Sequence, residues 1–185
     1  IIIYLAFGVV YPLSAEYLKG LKKIYLVACG SAYYVSVLAK YIIEKNCRIC
    51  AEAMMASEFR YCDPVLDERS LVIAISQSGE TLDTLEALRE AKRKGARVLS
   101  VVNVVGSSVA RESDDVFYTW AGPEIAVAST KAYTTQLMCM YLIGLYMGYE
   151  KGTITREYYD EFIQDLLNIS GKLEDSLKNA NMIEG

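Results

Sequence analysis

Three clusters of small polar residues stand where apolar runs give way to helical patterns: Cys29-Gly30-Ser31-Ala32-Tyr33, Ser76-Gln77-Ser78-Gly79-Glu80-Thr81 and Ser129-Thr130-Lys131. The second carries the most information. Ser76, Ser78 and Thr81 set hydroxyls around Gly79, Gln77 adds an amide, and a helical pattern begins at Leu82. Neutral donors gathered at a helix start, with the helix dipole behind them, suit an anion, and phosphate is the natural one. The competing reading is that Ser78 or Thr81 only caps the helix. Ser129 and Thr130 repeat the theme. Lys131 adds a positive charge there, although a lysine in a first helical turn is ordinarily solvated. Glu80 and Glu124 are candidate bases, yet carboxylates near helix starts ordinarily answer the dipole.

Other chemistries are excluded by residue type. The chain has no histidine, which removes Ser-His-Asp and Cys-His nucleophile systems, HExxH zinc sites and any imidazole base. No GxxxxGK[ST] occurs, and neither Gly30 nor Gly79 opens a GxGxxG, so nucleotide cofactors are disfavoured and no cofactor is expected. Five cysteines, Cys29, Cys47, Cys50, Cys62 and Cys139, are too few and too irregular for a disulfide framework and imply a reducing, cytoplasmic setting. Cys47 and Cys50 have CxxC spacing, but no second pair completes a zinc tetrad. The pair reads as the entrance to an extended strand, with side chains on opposite faces and no metal.

The elements that must position these clusters follow from hydrophobic patterning. The chain has 185 residues, 53% hydrophobic and 23% charged, with a net charge of −4. That is enough for one domain with a real core, and it lacks the basic footprint that nucleic acid requires. Ile24 to Cys29 and Ser70 to Ser76 are short continuous apolar runs, the mark of strands buried on both faces. Arg48 to Met54, Arg97 to Val102 and Val116 to Thr119 supply three more strands. Helical spacing appears in Val35, Leu38, Ala39, Ile42 and Ile43, and again in Leu82, Leu85, Leu88 and Ala91. The alternation predicts a parallel sheet with helices on both faces. Thr130 to Met147 reads as a well-buried helix. Glu157 to Leu177 reads as a last helix with an apolar stripe near heptad spacing that needs a partner, and Gly148 to Thr155 as its connector. The apolar start, Ile1 to Val10, breaks at Pro12, short of the ~18 to 20 residues of a membrane span, and reads as a fragment boundary with no function.

Ala56-Ser57-Glu58-Phe59-Arg60-Tyr61, Ser76-Gln77-Ser78-Gly79-Glu80-Thr81, Arg111-Glu112-Ser113-Asp114 and the run from Val127 to Gln136, in this order, resemble the first sugar isomerase (SIS) module of the glutamine:fructose-6-phosphate aminotransferase family. The resemblance runs from about Leu21 to about Leu177. It implies an α/β fold: a three-layer α/β/α sandwich of SIS type, flavodoxin-like, with a five-stranded parallel sheet and a C-terminal helical extension. It divides the chain into an unassigned N-terminal segment (1–20), a sugar-phosphate-binding domain (21–150) and a C-terminal helix (151–185).

Family members make glucosamine 6-phosphate from fructose 6-phosphate and glutamine, through a glutaminase domain and two SIS modules. The resemblance therefore implies a sugar-phosphate ligand, fructose 6-phosphate or glucosamine 6-phosphate. It implies as partners the second SIS module and the glutaminase domain of a parent chain, together with homodimer formation through apolar helix faces. By motif, Ser76, Gln77, Ser78 and Thr81 correspond to the phosphate loop, Val127 and Ser129 to sugar contacts, and Cys29, Gly30 and Ser31 to the turn after the first strand. Ser31 replaces a usual threonine and Ala126 a common glycine. Ala32 replaces a serine whose hydroxyl contacts the ligand in many members. The family's ring-opening histidine, Schiff-base lysine and enolising glutamate belong to the second module and tail, so the resemblance assigns this chain binding without catalytic residues. A stand-alone sugar-phosphate sensor is the rival reading. A deglycase or another ketose isomerase of SIS type is the third, disfavoured because it need not share Val127 to Gln136.

Overall fold

The structure, a computed structural model, describes residues 13–125 and 129–178. Five parallel strands form one sheet: β1 (Lys23–Ala28), β2 (Cys50–Met55), β3 (Ser70–Ser76), β4 (Arg97–Val102) and β5 (Asp115–Tyr118), in spatial order β2-β1-β3-β4-β5. Seven helices accompany them among the described residues: α1 (Ala15–Gly20), α2 (Ser31–Cys47), α3 (Ala56–Phe59), α4 (Leu82–Arg93), α5 (Ser108–Glu112), α6 (Lys131–Lys151) and α7 (Arg156–Lys178). This is the five-stranded parallel sandwich that the alternating pattern and the resemblance imply.

Strand side chains alternate between two cores. Leu71, Ile73 and Ile75 of β3 join Ile24 and Leu26 of β1 against Val35, Ala39 and Ile43 of α2 and Met140 and Ile143 of α6. Val72 and Ala74 of β3 face the other way, with Val27, onto Ala87, Leu88 and Ala91 of α4 and Phe59 of α3. Every residue of β3 is buried, which is why this strand reads as an unbroken apolar run. At the sheet's far edge Arg97 makes a paired contact with the buried Asp115 carboxylate, Nε to Oδ2 at 2.7 Å and Nη2 to Oδ1 at 3.1 Å. This bidentate pair satisfies a carboxylate that the sheet shuts from water.

Three short helices carry too few turns to show a period in sequence. In α1, Ser14 accepts a hydrogen bond from Tyr17 N at 3.2 Å, while Leu13 and Leu18 are fully buried in the core beside α6. The expectation of a strand from Arg48 is corrected: α2 runs to Cys47, Arg48 closes it in the left-handed conformation (φ 53°), and β2 begins at Cys50. Cys47 and Cys50 therefore lie on a helix end and a strand start, not along one extended strand. Cys47 is buried with its Sγ 3.3 Å from Gly144 O, and burial pushes its thiol up to about 12; Cys50 is exposed. Similarly β5 ends at Tyr118, one residue early. The apolar stretch Ile1 to Val10 lies outside the described residues, and among those described no helix is long and apolar enough to cross a membrane.

The first half of α7 packs on α6 through Tyr141 and Phe162, ring centroids 5.7 Å apart, and buries Tyr159 and Ile163. Beyond, Leu167, Leu173 and Leu177 are exposed. The near-heptad stripe is thus only half covered within the described residues.

The two long helices of the first core meet backbone to backbone. A Cβ at Gly148 would stand 2.8 Å from Asn46 O, and one at Gly144 would stand 2.8 Å from Ile42 Cγ2. Side-chain volume at either position would push α6 off α2. Gly148→Ala is expected to destabilise the chain by about 1 to 2 kcal/mol, the overpacking cost exceeding the gain in helix propensity. Urea denaturation checks this; an unchanged or higher midpoint would show that the helices separate freely.

Candidate functional site

The sheet reverses its winding direction between β1 and β3, whose last pair is Ala28 with Ile75. A crevice opens at that point beyond the carboxyl ends of the two strands. Each strand delivers one polar cluster to it. After β1, Gly30 takes φ 56° and ψ −135°, so the chain turns at once into α2. After β3, Gly79 takes φ 64° in the middle of the loop that leads to α4. The third cluster arrives at the start of α6.

Together they enclose a cavity of about 250 Å³ lined by Cys29, Gly30, Ser31, Ser76, Gln77, Ser78, Thr81 and Ser129. These are all the site residues expected from sequence except Val127, which lies outside the described residues. Ala32, Ile75, Thr84, Ala132 and Gln136 complete the wall, and sequence reasoning missed Thr84 and Gln136. Both occupy helix positions a few residues beyond a polar cluster, so only the helical step from Thr81 or Ala132 could have found them. Among the described residues every side chain lining the cavity is uncharged.

The electrostatics come from the backbone instead. The N-cap positions of α2, α4 and α6 are Gly30, Thr81 and Thr130, and none makes a side-chain capping hydrogen bond. First-turn amides have no partner within their own helix and carry the positive end of its dipole. The capping alternative for the second cluster is thus not what the hydroxyls do. Ser76 Oγ accepts from Gly79 N at 3.0 Å and sits 3.2 Å from Thr81 Oγ1, while Ser78 Oγ accepts from Glu80 N at 3.2 Å. These bonds shape the loop and leave the α4 amides without a side-chain cap.

The loop is also braced from behind by the segment after β4. Asn103 N donates to Gln77 O at 3.1 Å and Val109 N to Gly79 O at 2.9 Å. Ser108 N donates to Glu80 Oε1 at 2.8 Å, and hydrogen bonds from the Ser108 hydroxyl and amide hold the Glu80 carboxyl below the usual carboxylate range. Glu80 is therefore a tie between loops, ionised and turned from the cavity wall. Glu124 Oε2 accepts from Ala132 N at 3.2 Å and so answers one first-turn amide of α6. Lys131 is exposed and outside the lining. Neither carboxylate is placed as a base within the cavity. At the opposite wall Thr84 Oγ1 donates to Cys29 Sγ at 3.8 Å, and no group of three or more metal-ligating side chains forms among the described residues.

An open parallel sheet, with a crevice at its winding reversal where helix N-termini converge, defines a doubly wound α/β protein. The sequence profile of the SIS domain matches residues 17–145; the chain belongs to the SIS domain family. It is 55% identical over 172 residues to the glutamine–fructose-6-phosphate aminotransferase [isomerizing] of Clostridium tetani and 54% identical to that of Clostridium acetobutylicum. In both cases the match covers 93% of this chain and 28% of the relative. The chain thus spans little more than a quarter of the curated relatives it matches. The C-terminal domain of glucosamine-fructose-6-phosphate aminotransferase from Francisella tularensis superposes with a TM-score of 0.85 at 41% identity, over 91% of this chain and 48% of that one.

Gly79 is the tightest backbone position in the site. A Cβ there would fall on the Ser107 hydroxyl and 2.6 Å from Ser107 Cβ, besides straining a left-handed residue. Gly79→Ala is expected to lower stability by about 2 kcal/mol or more. Adding Ser107→Gly should restore only the part due to the clash, since the φ strain persists. Equal stability of Gly79→Ala and the parent chain in guanidinium would show that the loop is not held where the structure places it.

Proposed function

We propose that this chain is the first of two SIS modules of an isomerising glutamine:fructose-6-phosphate aminotransferase and that its cavity holds the sugar phosphate, fructose 6-phosphate or the product glucosamine 6-phosphate. The observation that carries the reading is the convergence of three helix N-termini, those of α2 and α4 without a side-chain cap, and of Ser76, Ser78 and Thr81, on one cavity whose described lining residues are uncharged. A phosphate at the start of α4 receives amide and hydroxyl hydrogen bonds together with the dipole. Ser31, Cys29, Gly30 and Ser129 then surround the remainder of the ligand, with Val127 assigned beside them by motif. The names of the relatives support the substrate class.

On this reading residues 21–150 bind the sugar phosphate and residues 151–185, which include α7, lead onward towards a second SIS module; a glutaminase domain is the other partner in a cytoplasmic parent enzyme. The chain's contribution is position: it fixes the phosphate so that proton transfer between C1 and C2 occurs against groups supplied elsewhere. The chain has no histidine to serve as a general base, and Glu80 is committed to Ser108. The same uncharged wall favours a second reading, a sugar-phosphate sensor without reaction. The full reading frame separates the two.

Fructose 6-phosphate at about 100 times its dissociation constant is expected to stabilise the chain by roughly 2.7 kcal/mol. The gain should largely vanish in a Ser76→Ala, Ser78→Ala double variant. In the same preparation no glucose 6-phosphate should form. A thermal shift that survives the double variant would send the ligand elsewhere, and turnover abolished by Glu80→Gln would give this chain its own base.

We also propose self-association. Tyr34, Leu38 and Tyr41 make an exposed apolar stripe at helical spacing along α2, residue types favoured in interface cores. Sedimentation should report a dimer; a monomer at high micromolar concentration refutes it.

A further inference from the structure

We infer that Gln136 is a ligand-binding residue of this cavity and takes a hydroxyl of the sugar, not its phosphate. The inference rests on the sugar-phosphate reading above. Gln136 lies in the second turn of α6 and is only 3% exposed, yet its side chain lines the cavity beside Ser129 and Ala132. Its Nε2 is buried and has no hydrogen-bond partner. An amide donor shut away from both water and protein acceptors is costly, and native structures rarely keep one without a further partner. Two other buried side-chain atoms share this condition, Ser100 Oγ and Ser107 Oγ, and neither residue lines the cavity. Among the described residues Gln136 alone combines an unmet donor with a place in the wall.

The chemistry of the group selects its partner. A primary amide offers donors on nitrogen and acceptor lone pairs on oxygen. A phosphate dianion only accepts and would use half of that capacity. A sugar hydroxyl accepts from Nε2 and donates to Oε1, matching the whole amide. Location agrees: the phosphate donors gather on the β3–α4 loop, whereas Gln136 comes from α6, a separate wall of the same cavity. A buried amide built to meet a hydroxyl also discriminates against ligands that lack it, because the donor is then left unpaired.

The test titrates the 185-residue chain and its Gln136→Met variant with fructose 6-phosphate and with inorganic phosphate, and melts both proteins without ligand. Loss of one neutral hydrogen bond should weaken fructose 6-phosphate about 3- to 10-fold. Inorganic phosphate affinity should stay unchanged. The ligand-free variant should melt at the same or a higher temperature, because methionine removes an unmet amide at similar volume. Independently of any variant, the Gln136 side-chain amide resonance of the parent chain should move on adding fructose 6-phosphate and stay in place with inorganic phosphate. Unchanged sugar-phosphate affinity in the variant, or a stationary resonance, overturns the assignment. A lower ligand-free melting temperature with both ligands weakened alike assigns Gln136 to the fold and overturns it too. A parent chain that binds neither ligand defeats the sugar-phosphate reading itself, a result distinct from parent and variant binding equally well.

Discussion

The in-register pairing of β1 with β3, from Lys23 opposite Ser70 to Ala28 opposite Ile75, is the constraint on which the site depends. It brings two strand ends level, so the turns that follow them begin side by side. Because the strands are buried on both faces, a slip of one residue would send Ile73 and Ile75 to the α4 side and Val72 and Ala74 to the α2 side. The two cores differ in volume, large aliphatics on one face and alanines with valines on the other, and each therefore rejects the wrong register. Packing energy distributed over two layers thus fixes the separation of Gly30 from Ser76. No polar contact in the cavity has to do so.

On the proposed reading a doubly charged group is bound with no lysine or arginine among the described lining residues, which has physical consequences. Helix N-termini contribute partial charges that the fold holds in place, and orienting them takes no rearrangement when the ligand arrives. A flexible lysine would lose rotamer freedom on each encounter. The chain's net charge of −4 opposes long-range steering of an anion. Recognition is therefore short-ranged, and the shape of the loop must be right before the ligand enters. That requirement explains the bracing behind the loop, where Asn103, Ser108 and Val109 each donate to it from the segment after β4.

The legible part of this molecule in its sequence was what has a period or a distinctive word. The buried strands Ile24 to Ala28 and Ser70 to Ser76 announce themselves by unbroken apolar runs, and α4 by the spacing of Leu82, Leu85, Leu88 and Ala91. Ser76 to Thr81 stood out as a word, hydroxyls gathered around a glycine before a helix, although spacing alone left helix capping as an equal reading. What escaped is set by tertiary contact. Helices of four to six residues such as α1, α3 and α5 complete too little of a turn pattern to be read. The strand start at Cys50 in place of Arg48 follows from the helix α2 persisting to Cys47, where Cys47 and Asn46 meet the glycines of α6. Thr84 and Gln136 escaped for a related reason: each belongs to an amphipathic helix, and only the packing of that helix decides which of its polar residues turns inward.

A site that positions a sugar phosphate, as proposed for this cavity, must hold its ligand in one pose, and the architecture supplies rigidity where this matters. α2 and α6 touch through Gly144 and Gly148, an approach too close for either helix to slide without lifting backbone off backbone. Those same helices present Ser31 and Ala32 from one side and Ala132 and Gln136 from the other. The width of the cavity between them is consequently governed two or more helical turns away, further along the helix pair, by the absence of two side chains. The end of the cavity at the β3–α4 loop is governed separately, by Gly79 pressed against Ser107. Close approaches at glycines thus set both dimensions of the cavity: on the proposed reading Gly79 sets where the anion would sit, and Gly144 with Gly148 how much room is left for what the anion carries.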